Sequence, residues 1–247
     1  MILVGGKTES GERTDVIEEF DPANGTATEI AQLPTGLSGF AAVEQNNHLF
    51  VIGGNDSRVR ASVDVLDLDT LEWSRGPPLN EKRDELAATL GPDGHIYAVG
   101  GYSAKNNQCL LSAERLAPGG SVWEVLPAMN DRRRALACVS LPDGVYAVGG
   151  FNGTEYLSSV ERFDEERGEW MLTAPMGRRR CTLGAVSSSD CRYIYALGGF
   201  DGAAMASVER YDVIKDEWEE VASMNVKRFM HSAVTVKVKN EGGDLLS

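Results

Sequence analysis

"YAVGGFNGTEYLSSVERFDEERGEW" runs from Tyr146 to Trp170, and "YALGGFDGAAMASVERYDVIKDEW" runs from Tyr195 to Trp218. The two stretches agree at their ends and differ chiefly between the glycine pair and "SVER". Working outward from them, Gly-Gly pairs stand at 5–6, 53–54, 100–101, 149–150 and 198–199, in steps of 48, 47, 49 and 49 residues. Tryptophans at 73, 123, 170 and 218 step by 50, 47 and 48. Two independent markers with one period identify an internal repeat.

Each unit divides in the same way. An apolar run such as "LACVSL" (136–141) meets a turn, here "PDG". A second run ends in the glycines: "HLFVIGG", "HIYAVGG", "GVYAVGG", "YIYALGG". A variable stretch follows, then "VDVLDL", "AERLAP", "VERFDE" or "VERYDV", a short turn and the tryptophan. Short β-rich runs between Gly, Pro, Asn and Asp read as antiparallel strands. No stretch carries a helical period of useful length. Each unit is therefore expected to be a four-stranded meander, with strands a, b, c and d in chain order.

Spacing locates the rigid parts. Phe20, Leu66, Leu116, Phe163 and Tyr211 each lie seven residues before Ala27, Trp73, Trp123, Trp170 and Trp218. Six residues further stand Leu33, Leu79, Met129, Met176 and Met224. By contrast, the interval from Gly6, Gly54, Gly101, Gly150 and Gly199 to strand c is 14, 12, 15, 13 and 12 residues. A length that varies freely belongs to a surface loop.

A four-stranded sheet cannot bury both faces alone, and radial stacking of such sheets is a β-propeller. Strands a and b are apolar enough to be covered on both faces, and tryptophan suits the layer between blades. Met1 leads directly into strand b, "ILVGG", and "MHSAVTVKVK" (230–239) follows the fifth unit. The expected fold is all-β: a propeller of five four-stranded blades, closed by N-terminal strands b, c and d pairing with a C-terminal strand a. Residues 1–239 form the propeller, and 240–247 a flexible tail.

With 247 residues, 42% hydrophobic, the chain is long enough to bury a core. No apolar run approaches the ~18 residues of a membrane span, and no signal peptide precedes "ILVGG". A net charge of −13 argues against nucleic acid or an anionic membrane as partner. Cys109, Cys138, Cys181 and Cys191 lack CxxC spacing and read as free buried thiols of a reducing, cytoplasmic setting. Asn24, Asn55 and Asn152 begin Asn-x-Ser/Thr triplets and read as turn residues.

A repeat of about 50 residues with b-strand Gly-Gly, an aromatic, six intervening residues and Trp resembles the kelch repeat. The likeness covers residues 1–239. "GGFDG", "SVERYD" and "DEW" are closest to the kelch-like adaptors, whose propeller captures a substrate for a cullin ubiquitin ligase. The sequence departs from that pattern at Ala27, at Leu66 and Leu116, and in offering five blades where six are usual. No BTB region precedes Met1, so the chain is either a fragment of a longer adaptor with an upstream BTB region or a stand-alone propeller.

Catalytic signals are thin. His48 and His95 occupy equivalent repeat positions, which favours a structural role, and His231 lies in the closing strand. No histidines are spaced as metal ligands, and no nucleophile elbow or phosphate loop is present. Paired acids such as Glu165–Glu166 and Glu219–Glu220 read as solvated turns or outer strands. We expect no catalytic residues, no metal and no cofactor.

Binding is the stronger expectation. In a propeller the b–c and d–a loops emerge on one face. The resemblance implies that this face holds a protein or peptide, through residues just after Gly-Gly and in the d–a loops. The matching positions are Lys7, Asn55, Tyr102, Phe151 and Phe200, with Asn152 and Asp201 beside two of them, and Asp84, Arg134 and Phe229 in the d–a loops. Arg83, Arg133, Arg180 and Arg228 each lie four residues past the Leu or Met marker, and are expected to brace the scaffold through loop carbonyls. Arg134, in "DRRR", and the cluster Arg178–Arg180 offer a basic spot for an acidic peptide. The alternatives to a substrate adaptor are a stand-alone cytoskeletal scaffold and a kelch-fold enzyme acting on a sugar or small molecule.

Overall fold

The seven-residue interval is a cross-strand pair. Phe163 stands opposite Trp170, Tyr211 opposite Trp218, Leu66 opposite Trp73, Leu116 opposite Trp123 and Phe20 opposite Ala27. A short hairpin turn between c and d fixes that register, so the interval cannot drift. The computed structural model describes residues 2–7, 10–21 and 23–235, and among these none is helical.

Five antiparallel sheets result, distributed over two compact units, Met1–Pro127 and Ala128–Ser247. In the first unit, β1 (Ile2–Lys7), β2 (Arg13–Asp21) and β3 (Thr26–Gln32) form the first sheet. The second is β4 (Ala41–Gln45), β5 (His48–Ile52), β6 (Val63–Asp67) and β7 (Trp73–Arg75). The third begins with β8 (Ala87–Leu90) and β9 (Ile96–Val99). Its long b–c loop makes a hairpin of its own, β10 (Tyr102–Ser103) with β11 (Gln108–Cys109), before β12 (Ala113–Leu116) and β13 (Trp123–Val125) complete the sheet. In the second unit the fourth sheet is β14 (Ala137–Leu141), β15 (Gly144–Val148), β16 (Val160–Asp164) and β17 (Glu169–Thr173). The fifth is β18 (Gly184–Ser187), β19 (Tyr193–Leu197), β20 (Val208–Asp212) and β21 (Glu217–Val221).

Within each unit the core lies between successive sheets. Ile17, Leu49 and Leu66 join the first and second; Ile52, Val63, Ile96 and Trp123 join the second and third; Val148, Val160, Ile194 and Tyr211 join the fourth and fifth. Each such side chain contributes about 1.5–3 kcal/mol by leaving water. Trp73, Trp123 and Trp218 reach into these layers. The indole N–H of Trp73 donates to Gln32 O (2.9 Å), that of Trp123 to Pro77 O (2.8 Å) and that of Trp218 to Ala174 O (2.9 Å).

Strand b is the inner strand: β9 and β15 are buried at every position. Strand a departs from expectation. β4 alternates buried and exposed, and β8 and β18 each have a single fully buried residue. Strand a is the last strand of its sheet and one of its faces looks to solvent, so apolar composition overstated its burial. Cysteine burial also needs correction. None of the four is in a disulfide, but Cys191 is exposed in the a–b turn between β18 and β19, whereas Cys109 and Cys181 are buried. Burial pushes the Cys138 thiol up to about 12.

Of the expected closing strand, residues 236–239 lie outside the described residues, as does the whole tail 240–247. Residues 231–235 run beside β18, where Thr235 Oγ1 donates to Ser187 O (2.7 Å).

Candidate interaction site

The glycine pair lets one loop backbone lie on another. A Cβ at Gly149 (φ 61°) would stand 2.5 Å from Arg180 O, and one at Gly53 (φ 66°) 2.7 Å from Arg83 O. The same arginine carbonyls accept from the second glycine of each pair, Gly150 N (2.9 Å) and Gly54 N (2.8 Å). The b–c loop of one sheet is thereby tied to the d–a loop that follows that sheet.

The repeated arginines are braces. Arg83 Nε and Nη2 donate to Glu114 Oε1 (3.0 and 2.9 Å), and Nη1 to the carbonyls of Gly100 and Ser112 (2.8 and 2.9 Å). Arg133 repeats this with Glu161, Gly149 and Ser159, and Arg180 makes the Nη1 and Nη2 bonds alone, with Glu209, Gly198 and Ser207. All three arginines are fully buried. The acids were missed in the sequence, although "AER", "VER" and "VER" repeat them. Each acid also accepts a d–a loop N–H, such as Asn80 N on Glu114 and Asn130 N on Glu161 (both 2.7 Å). Arg228 differs: it is exposed, because β18–β21 is the last sheet of its unit and no strand c follows it there among the described residues.

Two residues beyond each brace the backbone turns left-handed, at Glu85 (φ 52°), Ala135 (51°), Thr182 (48°) and Met230 (54°). Non-glycine residues in this region store strain and cluster in functional loops. The turn presents the intervening residue, which pairs backbone to backbone with the residue after Gly-Gly. Asp84 bridges Tyr102, Arg134 bridges Phe151, and Cys181 bridges Phe200. Two pairs of the positions matched from the sequence, Asp84 with Tyr102 and Arg134 with Phe151, are therefore brought together, while Phe200 pairs with Cys181 and Asn55 with Ser38, neither partner being among those positions.

The two units differ in what those pairs display. In Met1–Pro127 the display is polar and self-satisfied. Asn55 Nδ2 donates to Asp84 Oδ2 (3.0 Å), and Asn55 Oδ1 accepts from Arg13 Nη2 (3.4 Å). Half-buried Tyr102 donates its hydroxyl to Asn107 Oδ1 (2.6 Å). Lys7 ends β1 opposite Arg13.

In Ala128–Ser247 the display is aromatic. The Arg134 guanidinium lies 5.2 Å from the Phe151 ring centre, and Phe151 lies 5.3 Å from Tyr156. Tyr156 lies 5.8 Å from Phe200 and Phe200 5.4 Å from Phe229. Five side chains thus form one continuous row, with Phe229 44% exposed at its end. Tyr156 joins the two halves and was missed, its only signal being a lone aromatic in a loop of Gly, Thr and Glu. Asn152 serves the loop itself: its Oδ1 accepts from Thr154 N, Thr154 Oγ1 and Glu155 N. Asp201 is exposed beside Phe200. Arg179 pairs with Glu155 (3.1 Å), and Arg178 turns to Glu220 (3.3 Å) on the outer strand. Among the described residues no cluster of three His, Cys, Asp or Glu has metal-binding geometry.

Five repeated antiparallel sheets, cored between sheets and displaying paired loops, define an all-β, five-bladed propeller. The chain belongs to the kelch-repeat family: residues 39–240 match the KLHDC2/KLHL20/DRC7 Kelch-repeats domain. It is 27% identical over 214 residues to Spermatocyte protein spe-26 of Caenorhabditis elegans, covering 82% of this chain and 36% of that protein. It is 26% identical over 176 residues to Kelch-like protein 26 of Danio rerio, covering 69% and 29%. Kelch repeat protein C2 of vaccinia virus (strain Western Reserve) is 30% identical over 154 residues, covering 60% and 29%. The chain thus spans about a third of the length of these relatives, and the kelch-like relatives group it with protein-interaction propellers.

Proposed function

We propose that this propeller binds a protein or peptide segment through its b–c and d–a loops, by recognition without bond-making. The observation that carries the reading is the row Arg134–Phe151–Tyr156–Phe200–Phe229. Aromatic side chains supply large contact area at low entropic cost, and aromatic and arginine side chains together dominate interface energetics. Asn152 and Asp201 flank the row. In the first unit Asn55, Asp84, Tyr102 and Lys7 hold the corresponding loop positions.

The finer reading is a substrate-recognition propeller of a ubiquitin-ligase adaptor in the cytoplasm, its recruiting BTB region lying upstream in a longer parent chain. Kelch-like protein 26 supports this by likeness. The test is capture of partners by the protein and by Phe151→Ala/Tyr156→Ala/Phe200→Ala, compared by quantitative proteomics. These rings are half-buried loop residues outside the core between sheets, so the variant is expected to keep the parent's cooperative thermal unfolding. We expect the specific partners to fall at least about tenfold, the loss of one to two aromatic anchors. A folded variant that retains every partner overturns the reading.

A further inference from the structure

The second sheet breaks the brace pattern. In the third, fourth and fifth sheets the serine two residues before the braced acid has partners. Ser112 Oγ donates to Glu81 (2.8 Å), Ser159 Oγ donates to Asp131 (2.7 Å), and Ser207 Oγ accepts from Arg180 (3.1 Å). The equivalent residue in the second sheet is Ser62, whose Oγ is buried with no partner. Two substitutions in the repeat remove its partners: the brace position that serves this sheet is Leu37, buried at 1% exposure, and Thr35 stands where Glu81 and Asp131 accept from the other serines. Two residues before the serine, where other sheets carry Leu110, Leu157 and Met205, stands Arg60.

Ser62 and Arg60 line an open cleft of about 490 Å³, together with Arg58 and Ser57 of the same loop and Lys82 of the following d–a loop. Asp56 is its one carboxylate, and it pairs with Arg60, whose guanidinium holds it down to about 2. Arg58 and Lys82 are exposed, and among the described residues neither has an ion-pair partner. Ser57 is held at φ 126° by its N–H on Asn55 Oδ1 (2.9 Å), and Arg60 O accepts from Arg83 N (2.9 Å), which fixes the loop. Residues 1–127 carry nine Lys and Arg against nineteen Asp and Glu, so three cations around one cleft are a local reversal of sign.

We propose that this cleft binds a phosphate monoester carried on a larger molecule. Three cations against one carboxylate leave two positive charges, which match a dianion. Guanidinium forks fit phosphate oxygens, and the orphaned Ser62 hydroxyl gains the acceptor it lacks. The cleft is wider than a bare phosphate, which leaves room for its carrier, a phosphoserine side chain or a small phosphorylated metabolite. The assignment does not rest on the aromatic row.

The test is an NMR titration of the whole chain, at about 150 mM salt to screen nonspecific attraction. The probes are inorganic phosphate, a peptide containing one phosphoserine with its unphosphorylated twin, and ribose 5-phosphate. Saturable shifts at the amides of residues 57–62 and at Lys82 are expected, stronger at pH 7.5 than at 5.5, since the second phosphate pKa is about 6. Arg58→Ala/Lys82→Ala alters only exposed side chains and should weaken binding at least about tenfold, and Ser62→Ala about threefold. Tighter binding of the phosphopeptide identifies a protein ligand, and tighter binding of ribose 5-phosphate a metabolite. The proposal is overturned if neither organic probe binds more tightly than inorganic phosphate, or if binding survives the double substitution.

Discussion

Arg133 sits at zero exposure with its guanidinium shared between Glu161 and two carbonyls, and it shows what a single repeated residue can carry. Breaking such a pair leaves a buried carboxylate without compensation. Arg133→Ala should therefore cost about 3–5 kcal/mol in urea unfolding, while Arg133→Leu/Glu161→Leu should cost less than Arg133→Ala. His231 is the opposite case. It takes the repeat position of Leu86, Leu136 and Leu183, which are buried, and neither ring nitrogen has a hydrogen-bond partner. Burial and the nearby Arg228 charge push its pKa below 6.5. As pH falls through 6.5 the unfolded chain takes up a proton at this ring that the folded chain does not, so stability is lost on the acid side. Thermal unfolding should show His231→Leu to be more stable at pH 5.5 than the parent, with a gap that narrows by pH 7.5. An identical gap at both pH values would contradict this.

At the scale of the element, the hairpins were legible and the loops were not. An invariant seven-residue interval is what a fixed cross-strand pair leaves in a sequence, and Phe163 opposite Trp170 is that pair. The next six residues end at Met176, whose methyl group lies about 3.1 Å from where a Cβ on Gly149 would be, and so explains a second invariant length. Trp123, buried at 2% between sheets and anchored on Pro77 O, should lose about 3–5 kcal/mol on substitution by alanine, measured by chemical denaturation. The b–c loops gave only residue types. Side-chain direction there is set by single backbone angles such as φ 126° at Ser57, and by hairpins such as β10–β11, neither of which leaves a period. That is why Tyr156 and Arg60 went unread while Arg133 was found. Strand a misled for a related reason: composition reports apolarity, but not which face a neighbour covers.

On the scale of the whole molecule, the repeat supplies a uniform scaffold, and the residues at the loop tips depart from it. The same loop position carries Asp84 in one unit and Arg134, Cys181 and Phe229 in the other. The scaffold tolerates this because the brace beneath, Arg83, Arg133 or Arg180 with its acid, does not depend on what the next residue displays. Interaction propellers diversify in this way, with a constant frame and variable tips. The most direct test is photo-crosslinking, with a photoreactive amino acid placed at Phe200 or, as a control, at Ile214, which is 78% exposed in a c–d turn. A partner crosslinked from Phe200 and absent from Ile214 is expected. A partner captured from Ile214 alone would contradict it.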